Sequence, residues 1–177
     1  MGMRLFCIGG ISVNQLQRMA YMALFTAIAT FGSSLVWFPA GVAKAYPVQH
    51  AVNVVAGVLL GPGPAVIIAF VTGLLRNLMG TGSLLAFPGG MIGAFLAGYI
   101  YRKTSRTWAA SIGEVAGSGV IAPLFAVPYA KLLMGTAAGA FFFLPAFLVS
   151  SLSGSFLGFL LVRRLVKLKA WKYRFGQ

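Results

Sequence analysis

Long apolar runs, broken by glycine-proline clusters and short basic stretches, set the pattern of this chain. They extend from about Leu16 to Phe38, Val48 to Leu60, Ala65 to Leu78, Gly90 to Tyr101, Trp108 to Met134 and Phe141 to Val166. Between them lie Pro39–Pro47, Gly61-Pro-Gly-Pro64, the glycine-rich Gly80–Gly90 and a basic loop with Arg102, Lys103 and Arg106. Strict apolar/polar alternation is absent, so the runs predict helices and not barrel strands. The expected fold is an all-α integral membrane protein of six transmembrane helices. Residues 1–15 form a short leader without an A-x-A cleavage site. Residues 16–168 form one membrane domain, and 169–177 form a basic cytoplasmic tail.

The second to fourth runs cover only about 20 Å of helix, against a hydrocarbon core of about 30 Å. Short segments fit either a re-entrant hairpin or helices that stop below the outer surface and leave a ligand cup open to that side. The cup is preferred, because polar side chains gather at its expected rim.

Composition supports lipid as the solvent. Of 177 residues, 59% are hydrophobic and 8% charged, and the mean hydropathy is +0.91. That is too few charges for the polar shell of a soluble domain. The 23 glycines suit close helix contacts in a membrane. The net charge of +13 is not a nucleic-acid signature, since no soluble domain carries it. With the N-terminus inside, six spans put eleven of the fourteen Lys/Arg on the cytoplasmic side, and Lys44, Arg76 and Lys131 are the exceptions. That imbalance satisfies the positive-inside rule with both termini cytoplasmic. The single cysteine, Cys7, excludes an internal disulfide and a C-x-x-C metal site. No cofactor or metal is expected.

Tyr46 and His50, and Gln49 and Asn53, are each four residues apart and give the second helix one polar face. Arg76 and Asn77 close the third helix at the same expected height. Trp37, Phe38 and Phe87 lie in the adjoining outer loops, and flat aromatic walls with a few placed polar groups make a small-molecule site. The alternative is that Trp37 and Tyr46 belong to the interfacial aromatic belt and that Arg76 snorkels to the surface. Glu114, the only acid in the chain, lies about 9 Å into the fifth helix. It is a candidate for substrate contact by the cost of an intramembrane carboxylate, or a structural partner for a neighbouring helix. Ala23 and Ala27, in the cytoplasmic half of the first helix beside Ala20, Thr26 and Thr30, form a small-xxx-small surface that a second helix can approach closely.

Several chemistries are excluded by motif. No G-x-x-x-x-G-K-[ST] loop is present for nucleotide phosphates, one histidine cannot make H-E-x-x-H, and one acid cannot make a carboxylate dyad. Ser150, Ser151, Ser153 and Ser155 cluster, but no G-x-S-x-G elbow surrounds them.

Two segments resemble the thiazole-type S components (ThiW family) of energy-coupling-factor importers. They are Lys44-Ala-Tyr-Pro-Val-Gln-His-Ala-Val-Asn-Val-Val-Ala-Gly-Val-Leu-Leu-Gly-Pro62 and Leu74-Leu-Arg-Asn-Leu-Met-Gly-Thr-Gly-Ser-Leu-Leu-Ala-Phe-Pro-Gly-Gly-Met91. The overall likeness runs from about Arg18 to Val166. It implies a six-helix S-component fold in a bacterial plasma membrane. It also implies capture of hydroxyethylthiazole, a thiamine precursor, from outside the cell. Delivery would follow through a transmembrane coupling subunit driven by two cytoplasmic ATPase subunits. In that superfamily an A-x-x-x-A motif on the first helix contacts the coupling subunit, and Ala23 and Ala27 match it. The competing readings are a self-sufficient proton-coupled transporter using Glu114 as a homo-oligomer, and an intramembrane enzyme using His50 and a serine.

Overall fold

The computed structural model describes residues 7–8, 11–41, 43–133, 135 and 140–167. The basic tail at 169–177, and the part of the leader at 1–6 and 9–10, lie outside the described residues. Two short strands, β1 (Cys7–Ile8) and β2 (Ile11–Ser12), pair antiparallel ahead of α1 (Val13–Leu35). β3 (Phe38–Ala40) and β4 (Ala43–Ala45) form an antiparallel hairpin with Phe38 opposite Ala45. Apart from Phe38, both short strand pairs fall in segments expected to lie outside the helical runs, the leader and the Pro39–Pro47 loop, and Gly41, with φ 66°, turns the second.

α2 (Pro47–Leu60) starts on a proline, whose missing N–H costs nothing in the first helical turn. It stops at Gly61, which has φ 87°, a conformation that disfavours any side chain. α3 (Pro62–Leu78) follows at once. α4 (Ala86–Thr104) begins earlier than the Gly80–Gly90 loop suggests. Pro88 is its third residue, again inside the turn where backbone N–H groups have no intrahelical partner. The Arg102–Arg106 turn then leads into α5 (Thr107–Glu114), a π-helical segment (Val115–Ile121) and α6 (Ala122–Leu133), which continue one another. Pro123 has no N–H to offer the carbonyl four residues back, and the ladder just before it widens, with Ala122 N–H bonding Gly117 O. α7 (Ala140–Lys167) closes the bundle.

α2 sits at the centre and packs against α1, α3, α4 and α7. α4 packs against α2, α3, α5 and the π-helical segment. Glycines set the closest approach: a Cβ on Gly117 would stand 2.6 Å from Gly93 Cα, so α4 and the π segment meet backbone to backbone.

The distribution of polarity is inverted relative to a soluble protein. Gln49, His50, Asn53, Thr72, Arg76, Glu114 and Ser118 are buried, while Leu24, Phe31, Ile67, Phe70, Phe125, Leu152 and Phe156 are exposed. Burying polar groups and exposing large apolar ones is the arrangement a lipid solvent selects. Thr107–Pro128 and Phe141–Val166 are each long and apolar enough to cross a membrane, and Pro47–Leu60 and Pro62–Leu78 are shorter apolar helices.

Candidate functional site

A cavity of about 330 Å³ opens at the end of the bundle that carries the β3–β4 hairpin and the 79–85 loop. The opposite end carries the Arg102 turn, where the Arg102 guanidinium covers Gly61. Tyr46 at the N-terminal cap of α2, Gln49 and His50 from α2, Arg76 from α3, and Gly89 and Gly90 from α4 supply one side of the cavity. Phe142, Phe143, Phe147 and Ser150 from α7 supply another, and Lys44 and Ser83 reach it from the hairpin and the loop.

Arg76 organises the polar wall. Its Nη1 donates to Gln49 Oε1, and its Nη2 donates to Thr81 O at 3.0 Å. The guanidinium carbon lies 3.8 Å from the centre of the Tyr46 ring, a cation–π distance. The 79–85 loop folds back to meet it: Thr81 N–H and Gly82 N–H both donate to Arg76 O, at 2.9 and 3.0 Å. Tyr46 is anchored at its other end, where its backbone N–H donates to Ser150 Oγ at 2.8 Å. Gly90 leaves room for the Gln49 amide, since a Cβ there would stand 2.8 Å from Nε2.

Behind His50 lies a second polar cluster, fully inside the protein. His50 Nδ1 meets Glu114 Oε1 at 2.7 Å. Asn53 Nδ2 donates one hydrogen to the same oxygen and one to Gly90 O, both at 3.1 Å. Ser118 Oγ is 2.8 Å from Glu114 Oε1 and 2.5 Å from Gly89 O, so two acceptors share one hydroxyl proton. Gly93 makes space for this cluster: a Cβ there would overlap both the Ser118 hydroxyl and the Glu114 carboxyl. Glu114 of α5 thus joins α2 and the π segment behind the cavity wall, and Asn53 and Ser118 carry the network on to α4.

The candidate residues separate by position. Tyr46, Gln49, His50 and Arg76 line the cavity. Asn53 and Glu114 stand behind it, bonded to each other. Asn77 fixes the loop, donating to Gly73 O at 2.8 Å and Ser83 O at 3.0 Å. Phe87 packs between α3 and α4 against Phe70, ring centres 5.5 Å apart. Trp37 and Phe38 are exposed, 45% and 37%, and Lys44 Nζ lies 3.9 Å from the Trp37 ring centre. The structure does not bring Trp37, Phe38 or Phe87 to the cavity, because the hairpin turns the first two outward and Phe87 faces α3. The aromatic wall comes from α7. Its signal was present in the sequence, since Phe143, Phe147 and Ser150 recur at helical spacing. Ser118 was readable as well, four residues beyond Glu114 on one helical face.

Ala23 and Ala27 are both exposed on α1, while Thr26 and Thr30 face inward. The pair lies near the middle of α1 (Val13–Leu35).

His50→Ala removes a cavity-lining group and is expected to weaken ligand binding about tenfold or more, the effect of losing one buried polar contact. Asn53→Ala, from behind the wall, is expected to lower the unfolding temperature more than the affinity. Calorimetry and thermal unfolding on both variants separate the two effects.

Apolar exposed helix faces, spanning-length helices and a small, largely apolar cavity with a few convergent polar groups define a helical membrane protein built to hold a small molecule. The thiamine-precursor transporter protein family (ThiW) matches residues 19–168. With most of its length matched, the chain belongs to that family. No individual curated protein matches it.

Proposed function

We propose that this protein is the substrate-binding subunit of an energy-coupling-factor importer that captures hydroxyethylthiazole at the outer face of a bacterial plasma membrane. The observation that carries the reading is the cavity itself. It sits at one end of the bundle, opposite the basic Arg102–Arg106 turn, with the Phe142, Phe143 and Phe147 rings and a polar edge of Gln49, His50 and Arg76. Flat rings suit a heteroaromatic ligand, and the polar edge suits its hydroxyl and ring nitrogen. Six membrane spans with both termini inside put this cup outside, by the distribution of basic residues. The chain carries no nucleotide-binding loop, so energy comes from separate ATPase subunits through a coupling subunit.

Purified protein in detergent is expected to bind hydroxyethylthiazole saturably by calorimetry, with no effect of ATP. Saturable ATP hydrolysis by this chain alone would sink the importer-subunit reading. Uptake by vesicles holding only this chain, driven by a proton gradient, would replace it with a self-sufficient transporter.

Topology has its own test. Gly63 is exposed and a Cβ there meets open space, so cysteine is tolerated. Gly63→Cys in a Cys7→Ser background is expected to react with impermeant thiol reagents only after the membrane is opened. Labelling in intact cells would reverse the orientation or break the six-span path.

A further inference from the structure

Arg76 is a buried positive charge at the cavity wall with no acidic side chain to answer it. It is 1% exposed. The chain holds one acid in all, and that acid, Glu114, is taken up by His50, Asn53 and Ser118. Everything Arg76 touches is neutral: the Gln49 amide oxygen, the Thr81 carbonyl and the Tyr46 ring. Its Nε is buried without a hydrogen-bond partner. Neutral acceptors and the C-terminal end of α3 lower the cost of burying a guanidinium but leave its charge uncompensated.

The same side chain borders the cavity, and a second cation, Lys44, stands at the exposed edge. No acidic side chain lines the cavity. A guanidinium is a five-donor fork, and two hydrogen bonds engage it here. Two bonds out of five donors leave the guanidinium with unused capacity for the oxygens of a carboxylate or phosphate. Gln49, Thr81 and Tyr46 hold that fork in place before any ligand arrives.

We propose that the cavity is an oxyanion site: the physiological ligand carries a carboxylate or a phosphate monoester that pairs with Arg76, with Lys44 drawing it in from the outer edge. This deepens the importer reading and rests on the same cavity. It adds an acidic group to the heteroaromatic ligand, with hydroxyethylthiazole itself bound more weakly, and the missing counter-charge arrives with that group.

Calorimetry on the purified full chain tests it with four probes: hydroxyethylthiazole, its phosphate monoester, a methylthiazole carboxylate and inorganic phosphate. At least one thiazole anion is expected to bind about tenfold or more tighter than the alcohol, as a hydrogen bond to a charged group would give. Arg76→Gln is expected to erase that preference, and Arg76→Lys to keep part of it. Arg76-dependent binding of inorganic phosphate alone would support the oxyanion site while removing the thiazole. If the alcohol binds as tightly as either thiazole anion and phosphate has no effect, the inference falls and the thiazole importer stands. Silence from all four probes overturns both. Phospholipid that co-purifies with the parent and is lost in Arg76→Gln, with no effect of soluble anions, also overturns it by assigning the charge to a headgroup. The comparison of probes on the parent protein needs no variant, so a misfolded Arg76→Gln leaves the test intact.

Discussion

Glu114→Ala is expected to destabilise the folded protein by about 3 kcal/mol, from leaving a buried polar group without its partner, about 1–3 kcal/mol, together with the cavity left by the lost side chain. The carboxylate oxygen Oε1 is the shared acceptor for His50, Asn53 and Ser118. Removing it leaves His50 Nδ1 without its partner and takes one of two acceptors from Asn53 and Ser118, which keep Gly90 O and Gly89 O. Glu114→Gln keeps the shape and one acceptor oxygen within reach of His50 Nδ1, so the loss is smaller. Thermal unfolding in detergent, followed by circular dichroism, reads both variants. An alanine variant that melts with the parent would show that the cluster contributes nothing to the bundle. The experiment also bears on the rival in which Glu114 carries protons as its primary task. A carboxylate that clamps three segments gives a large stability loss in alanine and a modest one in glutamine. A carboxylate kept only for transport gives neither.

The path of the chain was legible wherever apolar runs were long and punctuated by strong breakers. α2, α3 and α7 lie within about three residues of their expected bounds, and Pro47, Gly61-Pro62 and the glycine-rich stretch after Leu78 fix the ends of the first two by local chemistry. The start of α4 was not legible, since Ala86-Phe-Pro-Gly-Gly90 has the composition of a loop. It is helical because Pro88 falls in the first turn and the two glycines let Gln49 and Phe147 pack closely. The β3–β4 hairpin was equally hidden, being three residues a side with no alternation to detect. For the site, spacing grouped Gln49, His50 and Asn53 on α2 with Tyr46 at its N-terminal cap. It could not say that Asn53 points to Glu114 while Gln49 points to Arg76, because both lie on the same polar stripe and only the neighbouring helices divide them. Long-range aromatic partners are invisible for a similar reason. The rings of Trp37 and Phe38 were nearer in sequence, but α7, about a hundred residues later, faces the cavity.

Ala23→Leu combined with Ala27→Leu is expected to abolish ligand uptake in cells that supply the coupling and ATPase subunits, while leaving ligand affinity unchanged. Both alanines are exposed on α1, and the large side chains around them are exposed too: Leu24 at 52%, Ile28 at 44% and Phe31 at 60%. A lipid-facing helix has no need of two small residues one turn apart, whereas a helix that receives another at short distance does. Two leucines would fill that groove and hold an incoming helix off by overlap. They do not enter the bundle, so the overpacking cost of about 1–3 kcal/mol that applies to a filled core site is not incurred. The cavity lies beyond the Leu35 end of α1, about 12–18 Å along the helix from the two alanines, and none of its lining comes from α1. Binding and transport should therefore part company in the double variant: calorimetry in detergent matches the parent, and uptake falls to background. Parental uptake rates would remove the docking role from this face of α1. Lost binding would mean that the alanines support the cup from a distance, through the contact of α1 with α2 and α3.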